Sequence, residues 1–183
     1  MRRFILTGAP GAGKTAILRA LEVLGFGVVE EAATDVIALE QARGVAEPWR
    51  DATFLDAIVE LQKQRLMRAA GIDEAIQFHD RSAVCTLALA RYLGLAVTAQ
   101  LAAELRRIET ERPFARRVFF VENMGFVAPT EARRITFEET LRFERIHEET
   151  YRELGYELVR VKAGSIEERL KEFWRVVGRP LVH

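Results

Sequence analysis

The chain has 183 residues with 27 Lys plus Arg against 27 Asp plus Glu, a length that fits one domain with a substantial core. Its balanced charge gives no reason to expect nucleic acid or an anionic membrane as the main partner. A single cysteine, Cys85, excludes an internal disulfide framework and a multi-cysteine metal site, suits a reducing compartment and reads as a small buried hydrophobe.

No apolar run approaches the length that spans a bilayer, and the first motif begins too near Met1 for a removable signal peptide. The expectation is a cytoplasmic protein, monomer or homodimer, built as one unit over 1-183. Short β-branched and aromatic runs alternate with longer helical patterns, which predicts successive βα units around a parallel sheet and an α/β class.

Arg3 to Thr7 reads as the first strand. Directly after it, Gly8-Ala9-Pro10-Gly11-Ala12-Gly13-Lys14-Thr15 fits G-x-x-x-x-G-K-[ST], the phosphate-binding P-loop. Glycines let backbone N–H groups turn inward around phosphates, and a helix starting near Lys14 points its positive end at them. Lys14 is expected on the β and γ phosphates and Thr15 on Mg²⁺, with Ala16 opening the helix. A plain glycine-rich turn is the alternative, and the strand before and helix after argue against it.

Gly27 to Glu31 reads as the second strand. Strand alternation sends Glu30 and Glu31 apart, and Glu31 is favoured as the carboxylate that takes a proton from a substrate hydroxyl. The competing reading is an acidic start to the next helix. Trp49, after Pro48, either anchors a helix start or lines a pocket. Phe54 to Ala70 carries an apolar stripe at helical spacing, ordinary core with charged residues on the other face.

Ala75 to Asp80 reads as the third strand, ending Phe78-His79-Asp80-Arg81-Ser82. Ligands collect at the carboxyl ends of strands in open α/β sheets, so Asp80 is expected near Lys14 and Thr15, holding Mg²⁺ directly or through water. Arg81 is expected to be free to touch a phosphate; a surface ion pair is the alternative. Arg106, Arg107, Arg112, Arg116 and Arg117 read as a solvated basic face before the fourth strand, Arg117 to Glu122. Glu122 ranks second to Asp80 as a magnesium acid.

Residues 124-136 show neither period and contain Arg133 and Arg134. They read as a lid whose arginines stabilise charge during transfer, or as a solvated basic loop. Thr136-x-x-Glu139 and Ser165-x-x-Glu168 are capping boxes that start the last two helices, on either side of a fifth strand from Glu157 to Val161. His79, His147 and His183 show no metal-ligand spacing.

On these motifs the chain resembles a small P-loop family described as predicted ATPases or kinases that groups with the ribosylnicotinamide kinase domain. It is similar, more distantly, to deoxynucleoside and nucleoside monophosphate kinases. The resemblance implies a three-layer α/β/α P-loop NTPase fold with five parallel strands in the order 2-3-1-4-5. It also implies a base at Glu31, an acid-Arg-Ser motif at Asp80-Arg81-Ser82, and packing of Ala163-Gly164-Ser165 on the nucleotide base. An ATPase of the motor or AAA class would show Asp-Glu on the magnesium strand, which Asp80-Arg81 does not.

The function expected is Mg²⁺-dependent transfer of the γ-phosphoryl of ATP, or of GTP, to a small acceptor such as a nucleoside, nucleotide or related metabolite. A nucleotide-gated binding module or slow NTPase acting on a protein or lipid partner is the second reading, because the family includes proteins resembling a GTP- and phospholipid-binding trafficking factor.

Overall fold

The structure, a computed structural model, describes residues 1–72, 74–123 and 136–178. Strands β1 (Arg2–Thr7), β2 (Gly27–Val29), β3 (Ile76–Asp80), β4 (Arg117–Val121) and β5 (Glu157–Val161) form one parallel sheet in the order β2-β3-β1-β4-β5. Between and after them run α1 (Lys14–Val23), α2 (Ala33–Ala42), α3 (Thr53–Ala70), α4 (Ala83–Leu93), α5 (Ala99–Glu111), α6 (Phe137–Glu153) and α7 (Ile166–Val177), with a 3₁₀ turn at Pro48–Arg50. The expected three layers and strand order are those of the chain.

Alternation along the strands divides the core. Phe4, Leu6, Phe78, Phe119 and Val161 face α1 and α7, where Ile17, Leu21 and Phe173 meet them. Ile5 and Val118 face the opposite layer, packed with Leu55 and Val59 of α3, Val84 of α4, Leu101 of α5 and Tyr151 of α6. Both faces of the sheet are therefore covered, as a parallel sheet requires. Phe119 and Phe173 stack at 4.0 Å between ring centroids, and both are fully buried.

The register sets the site. Phe4 lies opposite Phe78, and Leu6 opposite Asp80 on one side and Phe119 on the other. The carboxyl ends of β1 and β3 are thus level, so the P-loop that follows Thr7 and the turn that follows Asp80 emerge at the same edge of the sheet.

Both capping boxes form. Thr136 accepts from the Glu139 backbone and Ser165 from the Glu168 backbone, and each glutamate reaches back to the cap residue. The second strand is shorter than its sequence pattern, ending at Val29 rather than Glu31. Pairing with β3 stops there, and the backbone carbonyls of Glu30 and Glu31 are taken instead by the Arg65 guanidinium, at 3.1 and 2.5 Å. Arg133 and Arg134, and the lid assigned to 124-136 apart from Thr136, lie outside the described residues, as does His183. Among the described residues no helix is long and apolar enough to cross a membrane.

The stacked Phe119 and Phe173 rings predict the cost of opening this layer. Phe173→Ala is expected to lower unfolding free energy by about 3–5 kcal/mol, read as a drop in the urea midpoint with the secondary structure retained.

Candidate active site

The P-loop closes on the end of β4. Gly8 has φ 129°, and a Cβ built there would lie 2.2 Å from the Val121 carbonyl oxygen, so only glycine fits. Gly13, at φ 80°, turns the backbone into α1. Ala9 and Ala12 are fully buried behind the loop, whereas Pro10, Gly11, Gly13, Lys14 and Thr15 line an open cleft of about 1020 Å³. Thr15 and Ala16 are exposed at the start of α1.

Lys14 is buried. Its ammonium folds back to donate to the carbonyls of Gly8 and Ala9 at 3.2 and 3.0 Å. Burial, and then the nearby Arg81 charge, push its pKa down from the ordinary lysine range to about 8.

Glu31 and Arg81 meet in the same cleft. The Arg81 Nε lies 2.5 Å from Glu31 Oε1, with side-chain exposures of 9% and 22%, so the pair is withdrawn from most of the solvent that weakens surface ion pairs. Thr34 donates to the other Glu31 oxygen at 2.9 Å. Burial disfavours the Glu31 charge, but Arg81 and Lys14 outweigh it and hold the carboxyl down at about 2. The Arg81 guanidinium is likewise opposed by burial and held well above its ordinary range by Glu31.

Arg81 is not free, contrary to the sequence expectation. Its backbone adopts the left-handed region at φ 72°, its N–H donates to the Leu6 carbonyl at 2.9 Å, and its guanidinium is shared between Glu31 and His147. Sequence pattern alone does not show that a residue from the second strand's exit reaches across to the residue after the third.

Asp80 is buried at the end of β3 and lines the cleft with Lys14 and Thr15. A hydroxyl and a carboxylate are hard oxygen donors, the kind Mg²⁺ takes when substrate phosphates complete its shell. Among the described residues no group of three or more His, Cys, Asp or Glu is placed to hold a metal by itself. Glu30 is exposed and paired with Arg19, so of the two adjacent acids it is Glu31 that enters the cleft. Glu122 is paired with Arg160 at 3.0 Å. Arg107, Arg116 and Arg117 of the basic stretch are engaged with Glu104, the Leu154 carbonyl and Glu157.

The same cleft is also lined by Ile37, Trp49, Phe54, Ile58, Leu89, Tyr92 and Phe143, with Gln62 and Thr86 as polar wall groups hydrogen-bonded at 3.1 Å. Trp49 combines the two roles weighed for it, packing against the cluster of Ala32, Val36, Phe54 and Ile58 while lining the cleft. Gly164 does not line the cleft. It borders α7, whose buried Arg169 donates to the Ala12 carbonyl at 2.6 Å and ties that helix to the P-loop.

Three site residues escape a sequence reading: Arg65, His147 and Arg169. Each is an unremarkable charged or polar helix position whose partner lies far away in the chain. Arg169 alone carries a local signal, since the Ser165 cap fixes where the first turn of α7 begins.

A family model for an AAA domain matches residues 3–169. The chain belongs to this AAA domain family. No curated protein matches it by sequence. Two solved structures of deoxyadenosine kinase from M. mycoides share its fold, each with a TM-score of 0.59 and 12% identity. In one, with dCMP and a flexible dCDP bound, the similarity covers 94% of this chain and 97% of the kinase. In the other, with dATP bound, it covers 97% and 100%. The expectation against the AAA class is therefore narrowed: this AAA domain has Arg81, not a glutamate, after the acid of β3.

Because the Glu31 pKa is depressed in the fold, its contribution to stability is present above the unfolded value of 4.5 and lost as pH falls toward about 2. Glu31→Gln, which strands the buried Arg81, is expected to be less stable than the unaltered AAA domain by about 3 kcal/mol near neutral pH. That gap should narrow as pH drops through this window, measured by urea unfolding at stepped pH.

Proposed function

We propose that this AAA domain is a Mg²⁺-dependent phosphotransferase that moves the γ-phosphoryl of ATP, or of GTP, to a small acceptor: a nucleoside, nucleotide or related metabolite. The observation that carries this reading is the position of the Glu31–Arg81 pair. It lines one cleft together with the P-loop lysine and a large, mostly apolar wall, where an acceptor's body has room and its hydroxyl has a carboxylate.

In this reading the loop amides and Lys14 hold the phosphates, while Thr15 and Asp80 would hold Mg²⁺, whose charge neutralises the β and γ oxygens when bound. Glu31 takes the hydroxyl proton as the acceptor oxygen bonds to the γ phosphorus and the bond to the bridging oxygen breaks, leaving the nucleoside diphosphate. Arg81 keeps Glu31 ionised across the physiological range. Held beside Glu31, the guanidinium shares its charge with the transferring phosphoryl group, so the carboxylate becomes more basic as the charge on the phosphoryl oxygens spreads. Arg133 and Arg134 are proposed to add to that stabilisation, and Gly164 to border the nucleotide base.

The test is transfer from γ-labelled ATP and GTP with Mg²⁺ to a pooled panel of nucleosides, nucleotides and ribosylnicotinamide. Label is expected on a metabolite. Lys14→Ala should abolish transfer, and Glu31→Gln should lower kcat by about 10²–10⁴-fold with nucleotide affinity preserved. Release of inorganic phosphate alone, unaffected by Glu31→Gln, overturns the kinase reading in favour of a nucleotide-gated binding module.

Lys14 supplies a second check. A polyphosphate beside its ammonium raises the lysine pKa from about 8, so nucleotide binding is expected to take up protons near and above that pH. Calorimetry in buffers of different ionisation enthalpy reads the uptake, and Lys14→Met should remove it.

A further inference from the structure

His147 is fully buried on α6 and touches Arg81. Its Nδ1 lies 3.0 Å from the Phe143 carbonyl oxygen and its Nε2 lies 3.1 Å from Arg81 Nη1. A carbonyl only accepts and a guanidinium only donates, so the two partners demand the same form of the ring: Nδ1 carries the hydrogen and Nε2 offers its lone pair. An imidazolium there would set one N–H against another with no solvent to separate the charges. Burial first, then Arg81, keep the His147 pKa low, at about 3.

We infer that His147, as the Nδ1–H tautomer, is a positioning residue that holds the Arg81 guanidinium against Glu31 and fixes the orientation of both in the cleft. Arg81 needs such a hold. Its backbone stands in the left-handed region, which disfavours a non-glycine residue, and its backbone N–H is tied to Leu6. Between that anchor and the guanidinium run several rotatable bonds. One ion pair leaves the planar group able to swing about Glu31, whereas a second acceptor on another element stops it.

The same ring reaches the acceptor end of the cleft. Phe143 packs edge-on against His147 at 4.3 Å and tilted against Tyr92 at 4.6 Å, and both Phe143 and Tyr92 line the apolar wall. His147 therefore joins the wall that would receive the acceptor to the arginine that faces the phosphates. The charged groups that reach it are Arg81 from the turn after β3, Lys14 from α1 and Glu31 from the approach to α2. The inference of a held guanidinium rests on geometry; only its kinetic consequence rests on the kinase reading.

Three measurements on the full chain test it. Nitrogen-15 NMR of the unaltered protein at neutral pH is expected to show Nδ1 protonated and Nε2 bare, and an Nε2–H ring or an imidazolium overturns the inference. Carbon-13 titration should find Glu31 ionised down to the acid limit of folding in the unaltered chain and in His147→Gln, whose amide oxygen can still accept from Arg81. In His147→Leu, Glu31 should titrate at least about one pH unit higher, the shift expected when a held cation is released; an unmoved Glu31 overturns the inference. If His147→Leu does not fold, the tautomer in the unaltered chain decides.

Kinetics add the rescue. His147→Leu is expected to lower kcat about tenfold or more with the nucleotide KM within about twofold, and His147→Gln to recover most of the loss. Equal losses in the two variants assign His147 to packing and overturn the inference. Failure of the unaltered chain to phosphorylate any acceptor overturns the kinase reading, while the tautomer and the Glu31 titration still decide whether Arg81 is held.

Discussion

Glu31 and Arg81 must leave water together, and the rest of the cleft is arranged around that necessity. Burying an ion costs several kcal/mol even after the protein relaxes, and a partner offsets this only when geometry and further hydrogen bonds complete it. Each member is accordingly held more than once. Glu31 has Arg81 and Thr34 on its carboxylate and Arg65 on its carbonyl. Arg81 has Leu6 on its backbone and both Glu31 and His147 on its guanidinium. These holds come from β1, α2, α3 and α6 and the segments joining them, so the pair exists only once the layers have assembled.

The same crowding explains Lys14. A buried ammonium near a second cation is electrostatically uncomfortable, and Lys14 meets this by leaning on two carbonyls of its own loop while its pKa falls. A polyphosphate chain is the group that relieves both cations at once. Stability and binding are thus opposed at this residue: the crowding of two cations that costs the fold is what favours an anionic ligand.

Features written in local sequence were legible. The P-loop needs glycine at fixed offsets, the capping boxes need Ser or Thr three residues before Glu, and the strands announce themselves as apolar runs between turns. Strand order came through resemblance rather than periodicity. The end of β2 was not legible, because Val29 stops pairing when Arg65, a distant residue on α3, takes over the next carbonyls. The pairing of Arg81 is hidden from the local sequence for the same kind of reason. Nothing near Asp80-Arg81 in the chain shows that Glu31 and His147 converge on it, since that depends on the register of β3 against its neighbours and on how α6 packs over α4.

An arginine directly after the β3 acid also bears on what the AAA domain does with a nucleotide. A hydrolytic site needs one ordered water, and a water is held by two to four polar partners in a small polar space. Here the cleft that Glu31 lines has a volume of about 1020 Å³ and is walled by Trp49, Phe54, Leu89, Tyr92 and Phe143, surfaces that hold a ring or an apolar body better than a single water. Glu31, at the exit of β2, and Asp80, at the end of the neighbouring β3, line the same cleft. Arg81 joins the two, following Asp80 in the chain and pairing with Glu31 through its guanidinium. In the proposed reading this arrangement suits an acceptor that brings its own hydroxyl, and it gives the strained, largely buried arginine a use that a glycine in the same turn would not supply.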